Sequence, residues 1–354
     1  MGALATALAV AAAGVGGGQA ESALHNLTPG QLAGQRVVTG FSGYSPPRDL
    51  LRRIRQGKVG GVILFGQNVQ SRRQVRRLVG RLQSVRRPPA LDEPLLVMVD
   101  QEGGPVRRLP GAPVRSAAEI GATGDVGAAR RAGRAAGRNL RSARVNVDLA
   151  PVADVARPGS AMERERRSYG RRARKVARFA RAFATGLRRA GVLATGKHFP
   201  GFGAARANTD LSRVTINTPR KRLRRVDERP YRALFRRGVR LVMLSTAIYS
   251  ALDPRLPAAF SRRIARGELR SRLGFRGVSM TDALGTPATA PYGSPAQVGV
   301  RAARAGMDLM LYSSYTAAKG AAAHLARAIR RGRIPRSRAQ ASVRRILAVR
   351  RSIP

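Results

Sequence analysis

The chain has 354 residues, with 67 Lys and Arg against 19 Asp and Glu, for a formal net charge of +48. It contains no cysteine, which excludes disulfides, thiolate metal sites and cysteine nucleophiles. Its three histidines, His25, His198 and His324, are scattered along the chain and do not suggest a multi-histidine metal centre, so no metal or organic cofactor is expected.

The first twenty residues carry no charged side chain and read as the apolar region of a signal peptide, with Gly18-Gln19-Ala20 as a small-residue cleavage site. The basic start of such a leader is missing, and an uncleaved anchor is the alternative, although the segment is short and rich in glycine for a membrane span. The expectation is a secreted or cell-envelope protein with no span in the mature chain. From Arg36 onward, short β-rich runs alternate with arginine-studded stretches of helical periodicity. The runs are Val37–Phe41, Val62–Phe65, Leu95–Asp100, Val145–Pro151, Val192–Phe199, Leu241–Thr246, Val278–Asp282 and Asp308–Tyr312. Between them lie predicted helices such as Ala128–Ala143, Arg171–Ala190, Pro295–Ala305 and Ala317–Arg331, and Ile334–Pro354 reads as a last amphipathic helix. Apolar strands alternating with helices indicate a parallel sheet covered by helices. Eight such units fit a closed (β/α)8 barrel, an α/β fold in one catalytic domain, better than an open doubly wound sheet.

Only five of the basic residues are lysines, and the arginines occur in nearly every predicted helix. That distribution reads first as a solvated surface bias and second as a field for an anionic partner such as an acidic cell-wall polymer. There is no tryptophan, aromatics are sparse, and neither a basic arm nor an RNA-binding signature is present, so a specific nucleic-acid partner is not expected. In so acid-poor a chain, an aspartate closing an apolar run stands out. Asp100 and Asp282 both do so, which would place them on the C-terminal rim of a barrel, where active sites are built. From residue chemistry alone, Asp282 could be a nucleophile or a helix N-cap, and Asp100 a ligand or a turn former before glycine.

Four stretches, taken together, decide between these readings. They are Gly60-Gly61-Val62-Ile63-Leu64-Phe65-Gly66-Gln67-Asn68, the run from Val99-Asp100-Gln101-Glu102-Gly103-Gly104 to Leu109, Gly196-Lys197-His198-Phe199-Pro200-Gly201-Phe202-Gly203, and the run from Leu273 to Thr281-Asp282. In this order they resemble glycoside hydrolase family 3, in its single-barrel β-N-acetylhexosaminidase branch, from about Leu27 to the C-terminus. The resemblance implies a retaining hydrolase that removes terminal β-linked N-acetylglucosamine from cell-wall or chitin-type oligosaccharides. It makes Asp282 the nucleophile and gives Asp100, Arg108, Arg167, Lys197 and His198 to the bound sugar. A monomer acting on a carbohydrate substrate is expected.

The pattern breaks at one place. Where the branch carries Asp-Ser-His, with the histidine as acid/base, this chain reads Asn208-Thr209-Asp210, and Phe202 replaces a second histidine. Asp210 is then the candidate acid/base, provided that burial or the charge of Asp282 raises its pKa. A β-glucosidase, a glycan-binding protein without turnover, and a polyanion binder on a barrel scaffold stay open as alternatives.

Overall fold

The computed structural model describes residues 24–353. The expected signal segment, residues 1–20, lies outside the described residues.

Eight parallel strands form the centre: β1 (Val37–Thr39), β2 (Gly61–Ile63), β3 (Leu96–Val99), β4 (Val147–Asp148), β5 (Leu193–Phe199), β6 (Leu241–Leu244), β7 (Val278–Thr281) and β8 (Met310–Tyr312). They neighbour one another in chain order, and β8 pairs with β1. The remaining seam, between β7 and β8, is closed by the Met280–Leu309 bridge and by the amide of Thr281 donating to the Leu309 carbonyl at 3.0 Å. The sheet is therefore a barrel, as the eight apolar runs predict. The ladders are shorter than those runs. In the fourth, Pro151 has no N–H to donate, and regular pairing is confined to Val147 and Asp148.

The alternation along each strand sorts side chains into two cores. Val38, Ile63, Leu96, Met98, Val147, Leu149, Leu241, Met243, Val278, Met280, Leu309 and Leu311 fill the barrel interior. Val37, Val62, Val97, Val99, Val242 and Leu244 point outward under the helices. The last helix, Arg336–Arg350, sends Ile346 and Val349 into the interior core and so plugs the N-terminal end of the barrel. Arg350 is fully buried there, donating to the carbonyls of Pro94 at 2.8 Å and Leu91 at 2.9 Å and to Gln35 Oε1 at 2.6 Å. The interior of a barrel plugged at one end can open only at the other.

Outside, the helices Val126–Ser142 and Ala173–Arg189 pack through glycines. A Cβ on Gly133 would lie 2.1 Å from the Phe183 carbonyl oxygen, and one on Gly186 2.3 Å from that of Arg130. Among the described residues no helix is long and apolar enough to cross a membrane.

Candidate active site

Ile63, Leu149, Met243 and Leu311, the top layer of the interior core, form the floor of a cavity of about 210 Å³ at the C-terminal mouth. The same cavity is lined by Asp100, Arg108, Arg167, Lys197, His198, Asp210 and Asp282. All seven site residues read from the sequence thus meet on one surface. They come from the ends of β3, β5 and β7 and from the loops that follow β3, β4 and β5.

The loop after β3 is held by Gln101, which is fully buried. Its Nε2 donates to the Leu109 carbonyl at 2.9 Å and to that of Ala112 at 3.0 Å, while its Oε1 accepts from the amides of Arg108 and Leu109. One inward glutamine therefore sets where Arg108 leaves the backbone. Gly104 turns this loop at φ +58°, where a Cβ would also strike Ser116 at 2.5 Å, so no other residue fits.

Beneath the mouth lies a charge lattice. Lys197 Nζ sits 2.6 Å from Asp100 Oδ1 and 2.7 Å from Glu102 Oε1. Arg167 grips Glu102 with two parallel bonds, Nε to Oε2 at 2.9 Å and Nη2 to Oε1 at 2.8 Å, and reaches Glu165 at 3.0 Å. Burial by itself would raise Glu102, but the Arg167 and Lys197 cations outweigh it and hold the carboxyl down at about 2. Burial likewise opposes the charge on Lys197, and Asp100 and Glu102 outweigh it, so that its pKa is raised. Arg108 Nη2 lies 4.0 Å from the second oxygen of Asp100. The cations are thereby fixed in charge and direction before any ligand arrives.

His198 is oriented from behind. Its Nδ1 lies 2.8 Å from Asp154 Oδ2, and Asp154 also accepts from the amides of His198 and Phe202 and from the Tyr231 hydroxyl. A carboxylate surrounded by donors assigns the proton to Nδ1 and leaves Nε2 as the ring nitrogen not used by Asp154.

The two remaining carboxyls differ in setting. Asp282 directly follows β7; its amide donates to the Leu244 carbonyl at 2.9 Å, which continues the β6 ladder and fixes its backbone. Asp210 lies on the loop after β5, where its amide donates to Asn208 Oδ1 at 2.9 Å. The residue as a whole is exposed to solvent. Protein packed around its carboxyl, and secondarily the charge of Asp282, raises its pKa above the ordinary aspartate value.

Sequence reasoning gave no role to Gln101, Glu102, Asp148, Asp154, Glu165 or Tyr231, all of which build this arrangement. Glu102 stands inside a motif already quoted, and its burial between two cations is a tertiary fact. Asp148 is fully buried below the site, where loss of solvent raises its pKa well above the usual value; its Oδ1 accepts from the Gln101 amide at 3.1 Å. Asp148 and Asp154 flank the end of the fourth apolar run, so the scarcity of acids that singled out Asp100 and Asp282 was also a signal for them. Tyr231 arrives from a helix outside the barrel and has no such mark.

An eight-stranded barrel whose open end gathers carboxyls, two guanidiniums and an ammonium around a sugar-sized cavity has the form of a glycosidase. The family model described as the glycosyl hydrolase family 3 N terminal domain matches residues 30–349. A protein of Arthroderma benhamiae named an uncharacterized secreted glycosyl hydrolase is 40% identical over 325 residues, which are 90% of this chain and 92% of that one. A β-N-acetylhexosaminidase from Beutenbergia cavernae has a structure superposing with a TM-score of 0.84 at 31% identity, covering 92% of this chain and 99% of that one. A family 3 β-N-acetylglucosaminidase from Paenibacillus sp. superposes with a TM-score of 0.87 at 36% identity over 92% of this chain, which spans 62% of that protein's length. The chain belongs to glycosyl hydrolase family 3, and it is a glycosidase.

Proposed function

We propose that the protein hydrolyses terminal β-linked N-acetylglucosaminides by double displacement with retention at the anomeric carbon. Asp282 attacks that carbon and forms a glycosyl ester, while Asp210 gives its proton to the departing oxygen; Asp210 then takes a proton from the water that cleaves the ester. Asp100, Arg108, Arg167, Lys197 and His198 hold the terminal sugar. The observation that carries the reading is the convergence of these seven side chains on one cavity above a pre-formed charge lattice. The raised pKa of Asp210 suits a group that must hold a proton at the start of the cycle. The N-acetyl preference rests on the names of the Beutenbergia and Paenibacillus proteins.

Action as a monomer on a carbohydrate substrate is part of the same proposal. Export, with residues 1–20 as leader, and residence on an anionic wall belong to the same proposal; the word "secreted" in the name of the Arthroderma relative and the net charge support them.

The test is turnover of chromogenic β-N-acetylglucosaminide and β-glucoside by the wild type and by the Asp282→Ala and Asp210→Ala variants. Faster release from the N-acetylated substrate, lost in Asp282→Ala, is the expected result. Preference for the glucoside would reassign the sugar. Sugar binding without turnover of either substrate would replace the hydrolase with a glycan-binding protein.

A further inference from the structure

A hollow several times larger than the catalytic mouth lies elsewhere on the described residues. A groove of about 890 Å³ runs along the barrel exterior, between the helical segment Arg263–Arg272 and the helix Pro295–Ala305, to the turn that precedes Arg336–Arg350. Seven arginines line it, among them Arg262, Arg266, Arg301, Arg304 and Arg338, against the single acid Asp253. That acid is already engaged: its Oδ2 accepts from the Ser261 hydroxyl at 2.7 Å and its Oδ1 from the Arg255 and Leu256 amides. None of the seven guanidiniums has an ion-pair partner among the described residues, whereas Arg270 and Arg345, just beyond the groove, are both paired with Asp308. A second hollow of about 340 Å³ shares Arg266 and Arg338 with the groove and continues it towards the N-terminal end of the barrel.

Unpaired like charges in a concavity repel one another. Arg266 bears this out: burial, and after it the charges of Arg338, Arg262, Arg270 and Arg345, lower its pKa. Folding has concentrated positive charge here without compensating it, and the remedy is an external anion that meets several guanidiniums at once. Planar guanidiniums favour carboxylate and phosphate oxygens in two-point contact. The continuous, open shape suits a chain of such groups. The lining offers one aromatic ring, Phe260, and it is packed edge-on against Tyr292, so nucleobases find no stacking platform.

We propose that this groove is a binding site for an anionic polysaccharide, separate from the catalytic mouth, that keeps the enzyme on a charged polymer while the mouth works on sugar ends. The site does not depend on the hydrolase reading, and its test does not use turnover.

Binding of fluorescein-labelled polygalacturonate to the full chain is measured from low to moderate NaCl for three proteins. They are the wild type, the groove triple variant R262Q/R266Q/R338Q, and a control triple variant R178Q/R229Q/R236Q, drawn from another arginine-lined hollow of about 530 Å³. Each variant loses the same formal charge, and thermal unfolding checks that each is folded. The groove variant is expected to lose about tenfold in affinity and roughly two to three units of the slope of log affinity against log salt, with a much smaller loss in the control. Equal losses in the two variants, or none in either, would overturn the proposal, because binding would then follow net charge and not this groove. A single-stranded oligonucleotide that bound tighter than polygalacturonate at equal salt, and lost affinity in the groove variant, would overturn the choice of polysaccharide.

Discussion

Asp210 stands where family resemblance expects a histidine, and the two side chains make different demands on their surroundings. A histidine is poised near neutrality without help; an aspartate must be shifted upward to carry a proton there. Here the packing around its carboxyl and the charge of Asp282 both act in that direction. If Asp210 is the acid, kcat falls as pH rises through its raised pKa, and Asp210→Asn removes that limb. The same variant is expected to lose about 10²- to 10⁴-fold in kcat/KM on an oligosaccharide. Its kcat/KM, which reports formation of the ester, should fall far less on a nitrophenyl glycoside, whose leaving group departs without a proton. Equal losses on both substrates would mean that Asp210 does not act as an acid. Glu102 offers a second check. Replacing it with Gln leaves the buried Lys197 and Arg167 with less opposing charge, at a cost of about 3–5 kcal/mol near neutral pH. Its carboxyl is held at about 2 against an ordinary 4.5, so the stability it contributes is complete above 4.5 and is lost as pH falls toward 2. The Tm gap between wild type and Glu102→Gln should therefore close on acidification, and a gap independent of pH would contradict the charge lattice. At this scale the sequence disclosed Asp100, Arg108, Lys197, His198 and Asp282, each of which closes an apolar run or sits in one of the quoted motifs; Asp210 was marked by the break in the pattern, and Glu165, which also lines the cavity, was not marked at all. It did not disclose their supports, since Asp154 behind His198 and Gln101 beneath Arg108 act through contacts made only on folding.

The elements were more legible than their joints. Every expected apolar run overlaps a barrel strand, with β2 starting one residue ahead of its run at Gly61, and the helices expected at Ala128–Ala143 and Arg171–Ala190 form at Val126–Ser142 and Ala173–Arg189. Periodicity records which face is apolar, but not how close two helices come. The approach of that helix pair rests on Gly133 and Gly186, which had no distinguishing mark among the chain's 39 glycines. A Cβ at Gly186 would lie 2.3 Å from one backbone atom and 2.5 Å from another, so the helices must separate to admit it. Gly186→Ala is expected to cost about 1–3 kcal/mol, read as a lower Tm. Gly320→Ala, in a helix where the added methyl meets nothing within 4 Å, should leave Tm unchanged or raise it. Equal effects at the two positions would contradict close packing as the cause. The helix Arg336–Arg350 is a similar case: its amphipathic pattern was visible, but not its use as a plug with Arg350 bound by carbonyls of another segment.

For the whole molecule, charge and fold are largely separate matters. The barrel follows from eight apolar runs and would survive a different surface. The charge of +48 opposes compaction through self-repulsion, most of all where arginines face one another without acids, as around Arg266. Screening shortens the reach of that repulsion from about 30 Å at 0.01 M salt to about 3 Å at 1 M. Tm should therefore rise with NaCl over this range. A fall would mean that the surface ion pairs, such as Arg131 with Asp125, outweigh the net repulsion. Composition announced the charge at once, yet the groove that gathers seven arginines from separate segments appears only when the barrel brings those segments together.

The most direct test of the catalytic assignment is to look for the covalent intermediate. Asp210→Ala, incubated with nitrophenyl β-N-acetylglucosaminide, should still form the glycosyl ester but hydrolyse it slowly, so that the ester accumulates. Intact mass, followed by mapping of the labelled peptide, should find one N-acetylglucosaminyl group on Asp282. An adduct on another residue, or turnover that persists in Asp282→Ala, would contradict the assignment of Asp282 as the nucleophile.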